Sequence, residues 1–319
     1  MSFGIARMTE TERSFPMPIF VILHYLSAEM TEECVDTLRK TFHEEKIHII
    51  IVDNGSGNGS GPLLQARYEK EENCTVLLSS RNLGFAQGNN LGYRYALEHF
   101  DPEYVIVMNN DVLIEDTQFL NKVRNIQEET NFFVLGPDIF ACKAGVHQNP
   151  MSAEGYSPSQ IANIIRTRKR WLTFYSLHFT WDKVQKCIKQ FLKKLLRKES
   201  TPAAQRNPLS KAARLTNPVL HGACYIFSPA FLQAMPEPFH PGTFLYFEED
   251  ILHYICIQKG YTMIYDSSIS VKHMEDVSTN VAFRSEYKKR KMKYQNLIHS
   301  ATILQNLMAE GAFSDHSDV

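Results

Sequence analysis

The sequence predicts an α/β fold with a mostly parallel central sheet flanked by helices. Three observations carry this. Apolar, β-branched runs recur at residues 19–23, 47–52, 75–78 and 104–108, each the length of a buried strand. Helix-like stretches separate them, which is the alternation expected of βαβ units. Three of the runs end in polar clusters, after residues 52, 78 and 108, so one sheet edge collects polar groups.

The elements follow in order. Residues 1–17 are polar and charged, lack the apolar core of a signal peptide, and read as a loose leader. Residues 18–150 hold the four strands and a fifth at 132–135. From 151 to 216 the pattern gives way to a basic, aromatic helical insertion. Its segment 166–198 carries eleven Lys or Arg and one acid, Asp182, with Trp171, Phe174, Tyr175, Phe179 and Trp181 interleaved. Helical spacing gathers Val184, Ile188, Phe191, Leu192 and Leu195 on one face, with Lys186, Lys189, Lys193 and Arg197 largely on the other. Two readings stand: a helix with a solvated charged face, or an interfacial helix on an anionic leaflet, towards which aromatics among cations lean. Residues 201–218, with three prolines, read as a flexible return. Order resumes over 217–280, with a strand at 219–227 interrupted by Gly222 and Ala223, a helix over 247–259, and short strands at 263–265 and 271–273. Residues 281–319 form a basic, then amphipathic, helical tail.

The 319 residues suffice for one large or two small domains, and 44% hydrophobic with 22% charged content is ordinary for a globular chain. A net charge of -1 argues against a general nucleic-acid surface. Cys34, Cys74, Cys142, Cys187, Cys224 and Cys256 show no disulfide or zinc spacing and read as reduced thiols of a cytoplasmic protein. No stretch approaches the length of a membrane-spanning helix, so the expected location is cytoplasmic, peripheral at the inner face of the plasma membrane.

The most informative run is residues 81–92, Arg-Asn-Leu-Gly-Phe-Ala-Gln-Gly-Asn-Asn-Leu-Gly. It leads from a strand into a helical stretch expected over 91–100. Glycines and amides at such a turn let backbone approach a ligand and aim helix N-terminal N–H groups at an anion. Upstream, residues 49–56 end in Asp53-Asn54-Gly55-Ser56; downstream, residues 104–111 end in Asn109-Asn110-Asp111. A nicotinamide-binding fold is disfavoured, because no G-x-G-x-x-G follows the first strand.

Together these segments resemble glycosyltransferase family 2, on the GT-A nucleotide-sugar fold, over roughly residues 18–140 and 217–275. The wording of 82–92 is most similar to the bacterial rhamnosyltransferase-like, polysaccharide-assembly branch. The resemblance implies an inverting transfer of a sugar from UDP or dTDP to a glycan acceptor, lipid-linked, as in capsule or other cell-surface polysaccharide assembly. It puts Asp53 against the pyrimidine imide, with Asn54 and Ser56 beside it, although Asp-Asn-Gly is also good turn chemistry. Arg81, Asn82, Gly84, Gly88 and Asn89 would flank nucleotide or phosphate, and Asn109 and Asn110 the ribose and donor sugar. Asp111 and the late His273 would hold Mg²⁺ or Mn²⁺. Here the chain departs from the family, whose motif usually carries two acids where this one has Asn109-Asn110-Asp111.

Glu248-Glu249-Asp250 opens the predicted 247–259 helix. Acids there complement the helix dipole, but the family also places its general base at this point. Counting back from Gly260 puts the base at Glu249; an E-D pair read literally puts it at Asp250, the residue favoured, with Glu248 alongside. The rival reading is a non-catalytic nucleotide- or glycan-binding protein whose metal motif has decayed.

Overall fold

The computed structural model describes residues 16–182, 208–275 and 285–314, together with 185 and 188. In order, β1 (Met17–His24), α1 (Ala28–Thr41), β2 (His48–Asp53), α2 (Ser60–Tyr68), β3 (Cys74–Leu78), α3 (Gly84–His99) and β4 (Pro102–Asn109) form the first half. Then come β5 (Val112–Leu113), α4 (Phe119–Thr130), β6 (Val134–Ala141), β7 (Val146–His147) and α5 (Pro158–Thr173). The remainder is β8 (Arg214–Thr216), β9 (Cys224–Phe227), α6 (Pro229–Ala234), α7 (Glu248–Gln258), β10 (Met263–His273) and α8 (Glu286–Ser314).

One sheet runs in the order β3-β2-β1-β4-β9-β6-β10-β5, with β7 on β6 and β8 on β10. Most of its paired length is parallel: β3, β2, β1 and β4 on one side, and β6 with β10 on the other. Antiparallel β9 joins the two sides between β4 and β6. This is the α/β architecture expected.

The β-branched runs are apolar throughout because both faces are covered. In β1, Phe20 and Ile22 pack towards α1, α2 and α4, with Leu38, Leu64 and Leu120. Ile19 and Val21 point the other way, into a core with Tyr93 and Ala96 of α3, as side chains alternate along a strand. A third, smaller core joins Ile161 and Ile165 of α5, Ile251 of α7, and Ala301 and Leu304 of α8.

Several boundaries differ from the sequence reading. Helix α3 begins at Gly84 rather than residue 91, so most of the Gly/Asn run is helical rather than loop. Its glycines are packing positions: a Cβ on Gly88 would lie 2.6 Å from a Leu23 methyl, and one on Gly92 2.4 Å from Val21. The two short late strands are one, β10, paired along β6 through an irregularity between Asp266 and Ser270. The 219–227 strand shortens to β9. The expected flexible return contains a 3₁₀ turn, Pro208–Lys211, and β8, which pairs with β10. Helix α5 starts with a capping box between Ser157 and Gln160 and Pro158 in its first turn, which is good N-terminal chemistry. The amphipathic pattern from Val184 onward lies outside the described residues except Ile188, which is exposed. No helix of the described residues is long and apolar enough to cross a membrane.

Candidate functional site

The carboxyl ends of β1, β2 and β4 lie side by side, with Leu23 opposite both Val52 and Asn109. The chain therefore brings Asp53 and Asn109-Asn110-Asp111 to one edge, as the parallel pairing requires. Asp111 and His273 meet because β5, just past Asp111, pairs antiparallel with the end of β10. His273 Nε2 lies 3.3 Å from Asp111 Oδ1. The other ring nitrogen, Nδ1, lies 2.7 Å from Gln148 Oε1. Gln148 is itself oriented, since its Nε2 donates to Glu275 Oε1 at 3.2 Å. With that amide spent on a carboxylate, its oxygen faces the imidazole, and Nδ1 carries the donated proton.

With Nδ1 turned to Gln148, it is Nε2 that faces the Asp111 carboxylate, a nitrogen and an oxygen that a divalent cation can share. Asp111 and His273 are thus the residues that could hold a metal. Among the described residues no third His, Cys, Asp or Glu joins them, so further oxygens would have to come from a bound ligand. Beyond His273 stands His221, ring centroids 6.0 Å apart. Burial, and then His273, push the His221 imidazole down to about 4, against a smaller pull from Asp111. His221 is neutral at physiological pH. Its Nδ1 accepts from the Ala223 N–H at 3.1 Å, so its Nε2 carries the proton.

Next to His221, Gly222 gives the acid helix its place. A Cβ there would sit 2.6 Å from Glu249 Oε1, and the Gly222 N–H donates to that carboxylate. The predicted interruption of the strand thus admits the Glu249 side chain. Glu249 packs on Gly222, the residue after His221, whereas the charge of Asp250 acts on Tyr156, at the start of the insertion; both act on Tyr225. Adjacent helical side chains diverge by about 100°. Glu248 is buried, with Oε1 unpartnered. Burial, then Glu249, pushes the Glu248 carboxyl up to about 8; the same two causes push Asp250 up to about 7. Burial also raises Glu249, opposed by its backbone hydrogen bonds. The helix is entered through Tyr246 and Phe247, both with left-handed backbone, φ 75° and 69°, a conformation that costs on the order of 1–3 kcal/mol per residue.

The nucleotide-side residues divide. Arg81 is exposed, and no partner of its side chain is described. Asn109 is half-buried, its backbone N–H on Ala223. Asp53 is 3% exposed, one oxygen accepting from the Ser56 N–H at 3.1 Å and the other packed on Gly61. Four other residues proposed at the nucleotide bond within the protein. Asn54 bridges Gly84 O and Leu83 N, Ser56 accepts from Leu26 N, Asn110 donates to Thr31 Oγ1, and Asn89 donates to Phe85 O while its buried Oδ1 is without a partner among the described residues.

The anion cradle expected at the start of α3 is corrected for the same reason. The Leu83, Gly84 and Phe85 N–H groups are taken by Asn54, Asn82 and Phe244 O. Gly84, with φ +78°, has Phe244 O 2.2 Å from where a Cβ would lie. The glycine clasps the segment leading to the acid helix instead of a phosphate.

His24, His221 and Gln148 were missed. His24 Nδ1 and Nε2 lie 2.7 Å and 2.8 Å from Thr31 Oγ1 and Ser60 Oγ, linking the Asp53 and Asn110 strand ends. A histidine ending an otherwise apolar strand was the available signal. His221 had one in its neighbour Gly222; Gln148 had none.

A family model described as Glycosyl transferase family 2 matches residues 19–198. Glycosyltransferase GlyG of Streptococcus pneumoniae is 27% identical over 116 residues, 36% of this chain and 37% of the relative. Low-salt glycan biosynthesis hexosyltransferase Agl10 of Haloferax volcanii is 31% identical over 90 residues, 28% of this chain and 27% of the relative. The matched segments thus span about a third of these relatives. Among solved structures, a mannosyltransferase from Pyrobaculum calidifontis, in complex with GDP-Man and Mn²⁺, aligns over 97% of this chain and 77% of its own, with TM-score 0.49 and 13% identity. S. aureus TarS aligns over 81% and 60%, with TM-score 0.47 and 14% identity.

Proposed function

Because the chain belongs to glycosyl transferase family 2, we propose that it is an inverting glycosyltransferase. It would move one sugar from a nucleoside diphosphate, UDP or dTDP, to a hydroxyl of a glycan acceptor. The observation that supports this reading is the series Asp111–His273–His221, followed along the chain by Gly222 and its contact with the half-buried Glu249. Asp111 and His273 would hold Mg²⁺ or Mn²⁺, which when bound offsets the negative charge that builds on the departing diphosphate. Asn109 and Arg81 would orient the donor, and Asp53 the pyrimidine.

Glu249 is the proposed base, in place of the Asp250 favoured from sequence, because it shares a contact with Gly222 beside the metal pair. Its carboxylate takes the proton of the acceptor hydroxyl as that oxygen bonds to the anomeric carbon; the bond from that carbon to the diphosphate oxygen breaks, and the electron pair leaves with the diphosphate. Attack opposite the leaving group inverts the centre. The neutral His221, its Nε2 protonated, supplies a donor without adding charge.

The finer reading is a lipid-linked acceptor in cell-surface polysaccharide assembly, worked on at the inner membrane face. The wording of residues 82–92 supports the rhamnosyltransferase-like branch. The lone carboxylate at Asn109-Asn110-Asp111 favours the rival, a donor-binding protein without turnover. Calorimetry and hydrolysis assays with UDP-, dTDP- and GDP-sugars and Mn²⁺ separate them: slow donor hydrolysis supports the transferase, binding without hydrolysis or transfer the rival, and no binding overturns both.

A further inference from the structure

The insertion comprises α5 and, past a break at Phe174, a second helical stretch from 175; one side of it packs on α8. Ile161 and Ile165 enter the core shared with α8, Arg168 lies 5.3 Å over the Tyr294 ring, and the Tyr175 hydroxyl donates to Tyr287 O at 2.9 Å. On the other face Asn163, Arg166, Thr167 and Arg170 line an open cleft of about 390 Å³, closed at one end by Trp171 and His178. Those two rings stack at 5.0 Å with 12° between their planes. Arg166 and Arg170 are exposed, with no acidic partner among the described residues. Asn163, Thr167 and Arg170 are spaced four and three residues apart along α5. Past the helix end at Thr173 the exposed side chains turn apolar: Phe174 53%, Leu177 70%, Trp181 62% and, seven residues on, Ile188 52%.

We infer that this face is a docking site for an anionic phospholipid surface, with a headgroup phosphate in the Arg166–Arg170 cleft and Phe174, Leu177 and Trp181 in the interfacial layer. Two guanidiniums without carboxylate partners, beside amide and hydroxyl donors, match a phosphate's oxygens. Free phosphate would leave the exposed Leu177 and Trp181 unused, whereas a lipid meets both parts at once. The sequence adds Lys183, Lys186, Lys189, Lys193, Lys194, Arg197 and Lys198 downstream with no acid among them, the charge that complements an anionic leaflet. The inference rests on the reading that the protein works beside a membrane, and it names the site that holds it there.

The full-length protein is sedimented with phosphatidylcholine vesicles, with and without phosphatidylglycerol. Wild type should bind only the anionic vesicles. Arg166→Gln/Arg170→Gln should lose roughly thirtyfold in partitioning, and Phe174→Ser/Trp181→Ser should lose binding too. Lys40→Gln/Lys46→Gln removes the same charge elsewhere and should change partitioning by no more than about twofold. Equal losses in the two charge variants, equal binding to neutral vesicles, or no binding by wild type would each overturn the site. Calorimetry with UDP-sugars on the same proteins reads donor binding separately, so a wild type that binds donor but no vesicles rejects the membrane face alone.

Discussion

Gln148 holds the imidazole of His273 through a 2.7 Å contact from its Oε1 to Nδ1, and Glu275 holds Gln148 in turn. A glutamine can present either end of its amide, and the Glu275 carboxylate decides which. The ring nitrogen turned to Asp111 is therefore set two contacts back from His273, by Glu275.

Gln148→Leu removes the acceptor and frees the ring to rotate. Mn²⁺ affinity in the presence of UDP, measured by titration of the free-ion electron paramagnetic signal, should fall about 10–100-fold. Gln148→Glu retains an acceptor and should fall less. Unchanged Mn²⁺ binding in a folded Gln148→Leu variant would make the contact incidental.

Glu249 and Asp250 should separate cleanly. Glu249→Gln should lower transfer by a factor of about 10²–10⁴ with UDP-sugar affinity near wild type; Asp250→Asn should keep most turnover. Because burial raises the Glu249 carboxyl, the acid limb of the rate profile should lie above the ordinary carboxylate range. The opposite ranking of the two variants would return the base to Asp250.

Glu248 makes stability depend on pH in a defined direction. Its carboxyl is raised from 4.5 to about 8, so the folded state holds the proton more tightly than the unfolded chain. Its contribution is fully present below pH 4.5 and is lost as pH rises to about 8. Relative to Glu248→Gln, wild-type Tm should decline across that window. Parallel curves for the two proteins would show that the shift is absent.

Gly84→Ala tests the clasp between the Gly/Asn run and the acid helix. The new methyl meets a backbone carbonyl at 2.2 Å and needs φ +78°. The variant should lose more than about 1 kcal/mol by chemical denaturation, and transfer should fall with it. Stability within a few tenths of wild type would show that the Phe244 segment moves aside at no cost.

The sheet was legible because burial on both faces demands uninterrupted β-branched runs, and those runs stand out. Asp111 and His273 are far apart in sequence, and their meeting was expected only through the family resemblance; the structure brings them to 3.3 Å. What stayed hidden had local causes. The amides of Asn54, Asn82 and Asn89 suit a ligand or a turn equally well, and only the fold shows them bonded to Leu83, Gly84 and Phe85. Gly88 looks like a phosphate glycine in the sequence but, with Gly92, gives α3 room against Leu23 and Val21. Gln148 carried no pattern, because its role arises from Glu275, brought close by the pairing of β6 with β7 and β10.

The small third core joins three helices that are distant in sequence. Ile161 and Ile165, Ile251, and Ala301 with Leu304 bury one another, and the Tyr254 hydroxyl donates to Leu307 O at 3.1 Å. If one of α5, α7 and α8 departs, the residues that the other two bury in this core are uncovered. The three should therefore behave as a cooperative unit, opening to solvent hydrogen exchange together and at a common free energy. Glu249, the proposed base, stands on the middle member of that unit, so its residence at the site is governed by the opening equilibrium of helices 158–173 and 286–314 as much as by its own turn.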